Sequence, residues 1–196
     1  SGPVLGHVAT TSASGGSYTE LLSMLEPVLT LWQPPVVPNR ISMSVAMALT
    51  SAWEIMRKAA LLYLWRGGFC ADVFEPMPLN RQPVASRFIH EMVLGLRTLL
   101  DLAEGQAITI MNIMTWSVVV VGNECGNNVD MQAEIISILE RMQSYFGIEH
   151  LKQLISLLRE LWTRFESHKQ DPDASHLPHK DLNLDKLSRE FRLCLP

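Results

Sequence analysis

Apolar residues recur at helical spacing along most of the chain, in segments separated by prolines, glycines and polar turns. A period of three to four residues is typical of amphipathic helices. The first segment starts at Ser17 and stops before Pro34 and Pro35, because proline lacks the backbone amide that a helix needs. The pattern then predicts five more helices over about residues 40–66, 83–101 or beyond, 106–125, 129–146 and 149–167. Residues 182–191 could form a short seventh helix.

One of these segments has no polar face. Between Ile108 and Val121 there is no formally charged side chain, and apolar residues cover every side of the helical wheel. A helix of this kind is buried on all sides. The β-branched run from Val118 to Val121 would also suit a buried strand, but the chain offers no second strand pattern to pair with it. The sequence therefore predicts an all-α bundle of six or seven helices around a buried central helix at about residues 106–125.

The first residues differ in composition from the rest. Residues 1–16 are small, polar and rich in glycine, which predicts a flexible arm or linker with no fold of its own. Residues 17–196 are predicted to form one all-helical domain, of a size that is common for single domains. Because the chain begins with Ser1 instead of Met, we expect it to be a piece of a longer protein.

Charge and hydrophobicity exclude several classes of function. The chain is 47% hydrophobic and 18% charged, against about 25% charged residues in typical domains, so it can build a large core. Its net charge is −4 and no run of Lys or Arg exceeds two residues, which argues against direct nucleic-acid binding. The central apolar segment is shorter than the roughly 20 residues that cross a bilayer, so we expect no membrane insertion.

The sequence carries no recognisable catalytic or metal motif. It has no glycine-rich phosphate loop, no GxSxG and no paired carboxylates, so we predict neither an enzyme nor a cofactor. Glu124 could serve as an acid or base, but no second group is apparent, and a structural role is the simpler interpretation.

The three widely spaced cysteines indicate a reducing compartment. Three histidines in one polar loop lack the spacing of a zinc site, so no metal is predicted: His168, His176 and His179.

Methionine is the unusual feature of the predicted helices. The chain has ten methionines, and this side chain adapts its shape to irregular apolar surfaces and ligands. Ordinary core packing is the competing interpretation. Small-molecule sites in helical bundles usually lie between helices. If the methionines and tryptophans form such an apolar pocket, the predicted ligand-binding residues are Trp53, Met56, Met111, Met114 and Trp116.

Three segments together resemble a known family. SAWEIMRKAALLYLWRGG at residues 51–68 resembles an "AW…A.L.YL.R" helix, and MTWSVVVVGNEC at residues 114–125 resembles a "WP…IAG.E" helix. The third is a pair of helices over residues 131–166, with a glycine at the turn and a tryptophan near the end. In this order they are similar to the C-terminal regulatory domain of fungal-specific transcription factors, the zinc binuclear cluster regulators. The similarity covers about residues 40–166.

The sequence also departs from that family in three ways. Ser117 stands where the family motif has proline, and Val119 and Val120 stand where smaller residues are common. The six closely spaced cysteines of the zinc cluster are absent. The resemblance implies a regulatory domain that works in the nucleus, with shuttling from the cytoplasm, and reaches DNA only through a zinc cluster domain missing from this sequence. It also implies sensing of a small apolar metabolite, with a sterol as the candidate from sterol-responsive members. The alternative is a module for homodimerisation or co-regulator binding, with no small-molecule ligand.

Overall fold

The computed structural model describes residues 17–38, 40–67, 79–106, 110–126, 128–147 and 150–170. Within these ranges there are six helices and no strand, which confirms the all-α prediction. The predicted arm at residues 1–16 and the predicted short helix at residues 182–191 lie outside the described residues. The helices are α1 (Ser17–Leu31), α2 (Met43–Trp65), α3 (Gln82–Gln106), α4 (Ile110–Glu124), α5 (Val129–Phe146) and α6 (His150–Gln170).

The ends of α2 and α5 follow from local chemistry. Ser42 precedes α2, and its hydroxyl oxygen accepts a hydrogen bond from the Val45 amide, while the Asn128 side chain caps α5 in the same way. Such caps satisfy amides that have no partner inside the helix. After the two helices come Gly67 and Gly147, with φ of 73° and 61°. The left-handed conformation favours glycine because it lacks a Cβ, and the helices predicted over residues 40–66 and 129–146 end directly before these two glycines.

The central helix is confirmed, but its first turn differs from the prediction. We expected a break near Glu104 and Gly105, with the central helix starting at about residue 106. Instead α3 continues through both residues to Gln106, and α4 begins at Ile110. A glycine inside a helix costs only about 1 kcal/mol relative to alanine. The packing of α3, whose Leu99 and Leu100 are fully buried, offsets that penalty.

Helix α4 lies at the centre of the bundle. It packs against α2, α3, α5 and α6, and all four residues from Val118 to Val121 are buried. Helix α1 packs on the outside of α2, where the Tyr18 hydroxyl donates to the carbonyl oxygens of Leu64 and Trp65. None of the described helices combines the length and the apolar composition that spanning a bilayer requires.

Candidate functional site

The C-terminal end of α4 is tied to α2 by a nearly buried ion pair. Arg66 follows the last residue of α2, and Glu124 is the last residue of α4. The Arg66 Nε lies 2.9 Å from Glu124 Oε1, and its Nη2 lies 2.6 Å from Oε2. The Glu124 side chain is only 5% exposed and that of Arg66 27% exposed. A two-point contact between a guanidinium and a carboxylate fixes orientation as well as distance, so it sets how the two helix ends meet.

The same end of α4 is tied to α6 from another side. Trp162 of α6 donates from Nε1 to the carbonyl oxygen of Gly122 at 2.9 Å, in the buried interior. Gly122 permits this close approach, since a Cβ there would lie 3.0 Å from Leu158 Cδ1. One turn later, a Cβ on Gly126 would lie 3.1 Å from the Phe165 ring. The end of α4 is therefore held by α2 and α6 at once.

A cavity of about 360 Å³ lies beside the ion pair. This volume is near the lower end of the roughly 300–1,000 Å³ of small-molecule sites. The lining combines ionic, amide and imidazole groups with the apolar side chains of Ala85, Ile89 and Met131. Its lining residues are Arg66, Gln82, Ala85, Ser86, Ile89, His90, Glu124, Cys125, Asn128 and Met131.

Cys125 in this lining has the properties of an inert thiol. Its side chain is buried, and its Sγ donates to the Val121 carbonyl oxygen at 3.1 Å. Burial, reinforced by the neighbouring Glu124 carboxylate, raises the pKa of the thiol to about 12. A thiol with so high a pKa is neither a nucleophile nor a metal ligand at neutral pH.

The described residues also offer no group of three or more His, Cys, Asp or Glu side chains that could hold a metal ion. The side chains of His168, His176 and His179 lie outside the described part of the chain.

The five predicted ligand-binding residues divide into two groups. Met111 and Met114 have no exposed surface and belong to the core. Trp53, Met56 and Trp116 are half-buried, and the Trp116 ring meets the Tyr63 ring edge-on with centroids 5.8 Å apart. None of the five lines the cavity beside the ion pair or the groove described next. Their role in ligand binding stays a prediction.

Large apolar side chains are exposed on α1, on the connection to α2 and at the start of α2. We call this set the α1–α2 apolar surface; its members are Met24, Val28, Leu31, Trp32, Val36, Ile41, Met43 and Met47. A groove of about 520 Å³ opens there, lined by Pro35, Val36, Val37, Met43, Ala46, Met47, Thr50 and Ser51. Elsewhere in the described chain, exposed large apolar side chains are scattered: Leu79, Leu94, Ile113, Val129 and Tyr145.

Comparison with known protein families shows to which family this bundle belongs. The sequence model of the family described as "Fungal specific transcription factor domain" matches residues 16–176, a range that includes all six described helices. The chain belongs to this family. Membership gives it a regulatory role in transcription, and the match extends the resemblance seen in the sequence to α1. No curated protein and no solved structure matches the chain.

The three segments that resemble the family meet at the end of α4. Arg66 lies near the end of the first segment, Glu124 lies near the end of the second, and Trp162 is the late tryptophan of the third. The motif residues therefore hold the fold together at this point. Sequence reasoning missed the ion pair, although its two members are the charged residues at the ends of two motifs. Both residues lie at the ends of their helices, and this shared position is the feature of the sequence that could have indicated the pair.

The α1–α2 apolar surface was also missed, and α1 carries the signal that could have found it. Leu22 and Leu29 of α1 pack against the core, whereas Met24, Val28 and Leu31 recur at helical spacing and are exposed. An apolar stripe in addition to the one that faces the core is unusual for a surface helix.

Proposed function

We propose that this domain controls a fungal transcription factor by binding another protein through the α1–α2 apolar surface. The observation that carries the proposal is the concentration of eight exposed large apolar side chains between Met24 and Met47. Large exposed apolar patches on folded domains mark interaction sites, because solvating them costs free energy. Between Met24 and Met47 the formally charged residues are Arg40 and Glu26, and Glu26 already pairs with Arg81, so a partner could cover the surface without desolvating many ions.

The proposal places DNA contact elsewhere in a longer protein. A net charge of −4 and no basic cluster give this chain no means of neutralising phosphates. DNA would be bound by a zinc cluster domain, and the complete factor would work in the nucleus, with shuttling from the cytoplasm. Membership of the transcription factor family supports the regulatory role in the nucleus.

A reporter assay tests the proposal. The chain is fused to an unrelated DNA-binding domain in fungal reporter cells, and reporter output is compared with that of the DNA-binding domain alone. We expect a difference, in either direction, that Met43→Glu and Met47→Glu each abolish. Both side chains are exposed on α2, so a charge there removes apolar contact without disturbing the core.

Leu94→Glu is the matched control, because Leu94 is 66% exposed on a different helix. It should preserve the difference in output. Output equal to that of the DNA-binding domain alone, or an equal loss in all three variants, would contradict the proposal. Circular dichroism of the purified variants confirms that each remains folded.

A second candidate function is the binding of an apolar small molecule such as a sterol between α2 and α4. The specific observation in its favour is that Trp53, Met56 and Trp116 are large side chains left half-buried on these two packed helices. A ligand covering them would gain about 25 cal/mol for each Å² of apolar surface that it buries. The buried Met111 and Met114 of α4 would complete this site as an adaptable inner wall.

Native mass spectrometry tests this second candidate. The purified chain is incubated with ergosterol and, separately, with oleic acid. A stoichiometric adduct is expected, and Trp116→Ala should abolish it while Met47→Glu, on the other surface, should preserve it. A spectrum without adduct for both probes would count against ligand binding.

A further inference from the structure

We propose that the cavity beside the Arg66–Glu124 ion pair binds a small carboxylate that carries a short apolar chain. The site goes beyond the proposed function, since no member of the α1–α2 apolar surface lines it. Arg66 follows the last residue of α2, whereas Met47 lies in the second turn of that helix. With a rise of about 1.5 Å per residue, they are about 28 Å apart along the helix axis.

The walls of this cavity are apolar on one side and polar on the other. Ile89 and Met131 form the apolar part, and both are half-buried against the core. The polar part is formed by Ser86 and His90 of α3 and by Asn128, the residue before α5. A molecule that fills the cavity therefore needs an apolar chain and a polar head. A volume of about 360 Å³ restricts it to a small molecule.

The polar part of the cavity offers hydrogen-bond donors. The Asn128 Oδ1 accepts from the Met131 amide as the cap of α5, so Nδ2, which only donates, is the remaining end of that side chain. The Ser86 hydroxyl can rotate to donate as well. Nδ2 of Asn128 and Oγ of Ser86 thus provide donors from the two helices that begin at the cavity.

The carbonyl oxygens at the end of α4 are already occupied. The Gly122 carbonyl accepts from Trp162 Nε1 at 2.9 Å. The Cys125 carbonyl accepts from the Asn128 amide at 2.9 Å and from Gln132 Nε2 at 3.3 Å. Because internal donors satisfy these acceptors, a bound molecule gains more from accepting hydrogen bonds than from donating them.

The charges around the cavity favour an anion over a cation. Both Glu124 oxygens lie within hydrogen-bond distance of Arg66, and the carboxylate is only 5% exposed, so a cation would have to displace the guanidinium. Helices α3 and α5 both begin at the cavity, and helix dipoles are positive at this end. No acidic residue lies in the first turn of α3, and Asp130 in the first turn of α5 does not line the cavity.

An NMR titration of the isotope-labelled chain tests the charge of the head group. The probes are hexanoate, hexan-1-ol and hexylamine, which share a six-carbon chain. We expect hexanoate to bind and the other two to bind about tenfold more weakly, since hydrogen bonds to a charged acceptor are the stronger ones. Amide shifts should concentrate at Ser86, Asn128 and Met131. Equal affinity for the three probes, tighter binding of hexylamine, or no binding of hexanoate would overturn the proposal.

Variants of α3 test the position of the site. Ser86→Glu places a carboxylate at the cavity and should weaken hexanoate binding about tenfold through repulsion of like charges. Thr98→Glu is the matched control, because Thr98 is another exposed hydroxyl residue of α3, about 18 Å further along the helix. It should bind hexanoate as the wild type does. Equal weakening in both variants, or none in Ser86→Glu, would contradict the site.

Two further variants separate this site from other effects. Ser86→Lys should bind hexanoate at least as tightly as the wild type, a result that loss of folding does not produce. Met47→Glu changes the α1–α2 apolar surface and should leave hexanoate affinity unchanged. Weaker binding in either of these variants would overturn the assignment to the cavity.

Discussion

At the scale of single residues, Glu124 acquires its role from a side chain 58 residues away. The sequence shows a lone carboxylate at a helix end, and a structural role was the simpler interpretation. The structure supplies Arg66 as its partner and places the Glu124 carboxylate almost out of solvent. Removing one member of a buried ion pair leaves the other buried and unpaired, which is far more damaging than losing an exposed pair.

We predict that Arg66→Met lowers the free energy of unfolding by about 3 kcal/mol, because it leaves the Glu124 carboxylate without its cation. The double variant Arg66→Met, Glu124→Leu should recover most of this loss. Arg97→Met, which breaks the more exposed pair with Glu134, should cost less than about 1 kcal/mol. Urea denaturation measures the free energy of unfolding of each variant. The single variant Glu124→Leu completes the comparison: if its effect and that of Arg66→Met add up to the effect of the double variant, the pair is not coupled.

The Cys125 thiol makes stability depend on pH in the alkaline range. Burial raises its pKa to about 12 from an ordinary value of 9.0. As the pH rises between these values, the unfolded chain loses the thiol proton while the folded chain retains it. We therefore expect the free energy of unfolding to fall with increasing pH in this window, and Cys125→Ala to reduce that fall. Identical pH profiles for the two proteins would contradict the prediction.

The burial of Cys125 also predicts its reactivity. In a chain whose Cys70 and Cys194 are replaced by serine, Cys125 is the remaining thiol. An aromatic disulfide reagent should leave it unmodified at neutral pH in the folded chain and modify it after unfolding in urea.

At the scale of helices, local sequence was most informative where one residue decides the backbone. Gly147 adopts φ of 61° at the end of α5, and the sequence predicted this end from the glycine alone. The break between α3 and α4 was predicted less well. A glycine alone does not determine whether a helix ends there, because packing can stabilise the helix beyond it. Helix α3 continues in this way through Gly105.

We predict that Gly147→Ala lowers the free energy of unfolding by about 1–2 kcal/mol, because alanine in the left-handed conformation brings its Cβ close to the next carbonyl oxygen. No neighbouring atom lies within 4 Å of the added Cβ, so steric crowding by other residues does not contribute. Gly147→Asn should cost less, since asparagine enters this conformation more readily. Thermal unfolding compares the variants, and equal losses would contradict the conformational explanation.

At the scale of the whole molecule, the bundle is organised from its centre outwards. Helix α4 is enclosed by four others, whereas α1 lies against the outside of α2. Opening α4 to solvent requires separating most of the bundle, while α1 can detach at lower cost.

We therefore expect backbone amides from Val118 to Val121 to exchange hydrogen most slowly, and amides of α1 much faster. Hydrogen exchange followed by mass spectrometry or NMR measures this order. Exchange in α4 as fast as that in α1 would contradict the central position of α4.

The sequence by itself determined the helical class, the buried central helix, the glycine ends of α2 and α5, and the family. These features depend on the spacing of apolar residues and on the backbone freedom of single glycines, which are local properties. Only the tertiary structure decided that Arg66 pairs with Glu124, that Met111 and Met114 are core residues, and that the α1–α2 apolar surface stays exposed. An apolar face is buried or exposed according to which other helices cover it, and residues far along the chain decide that.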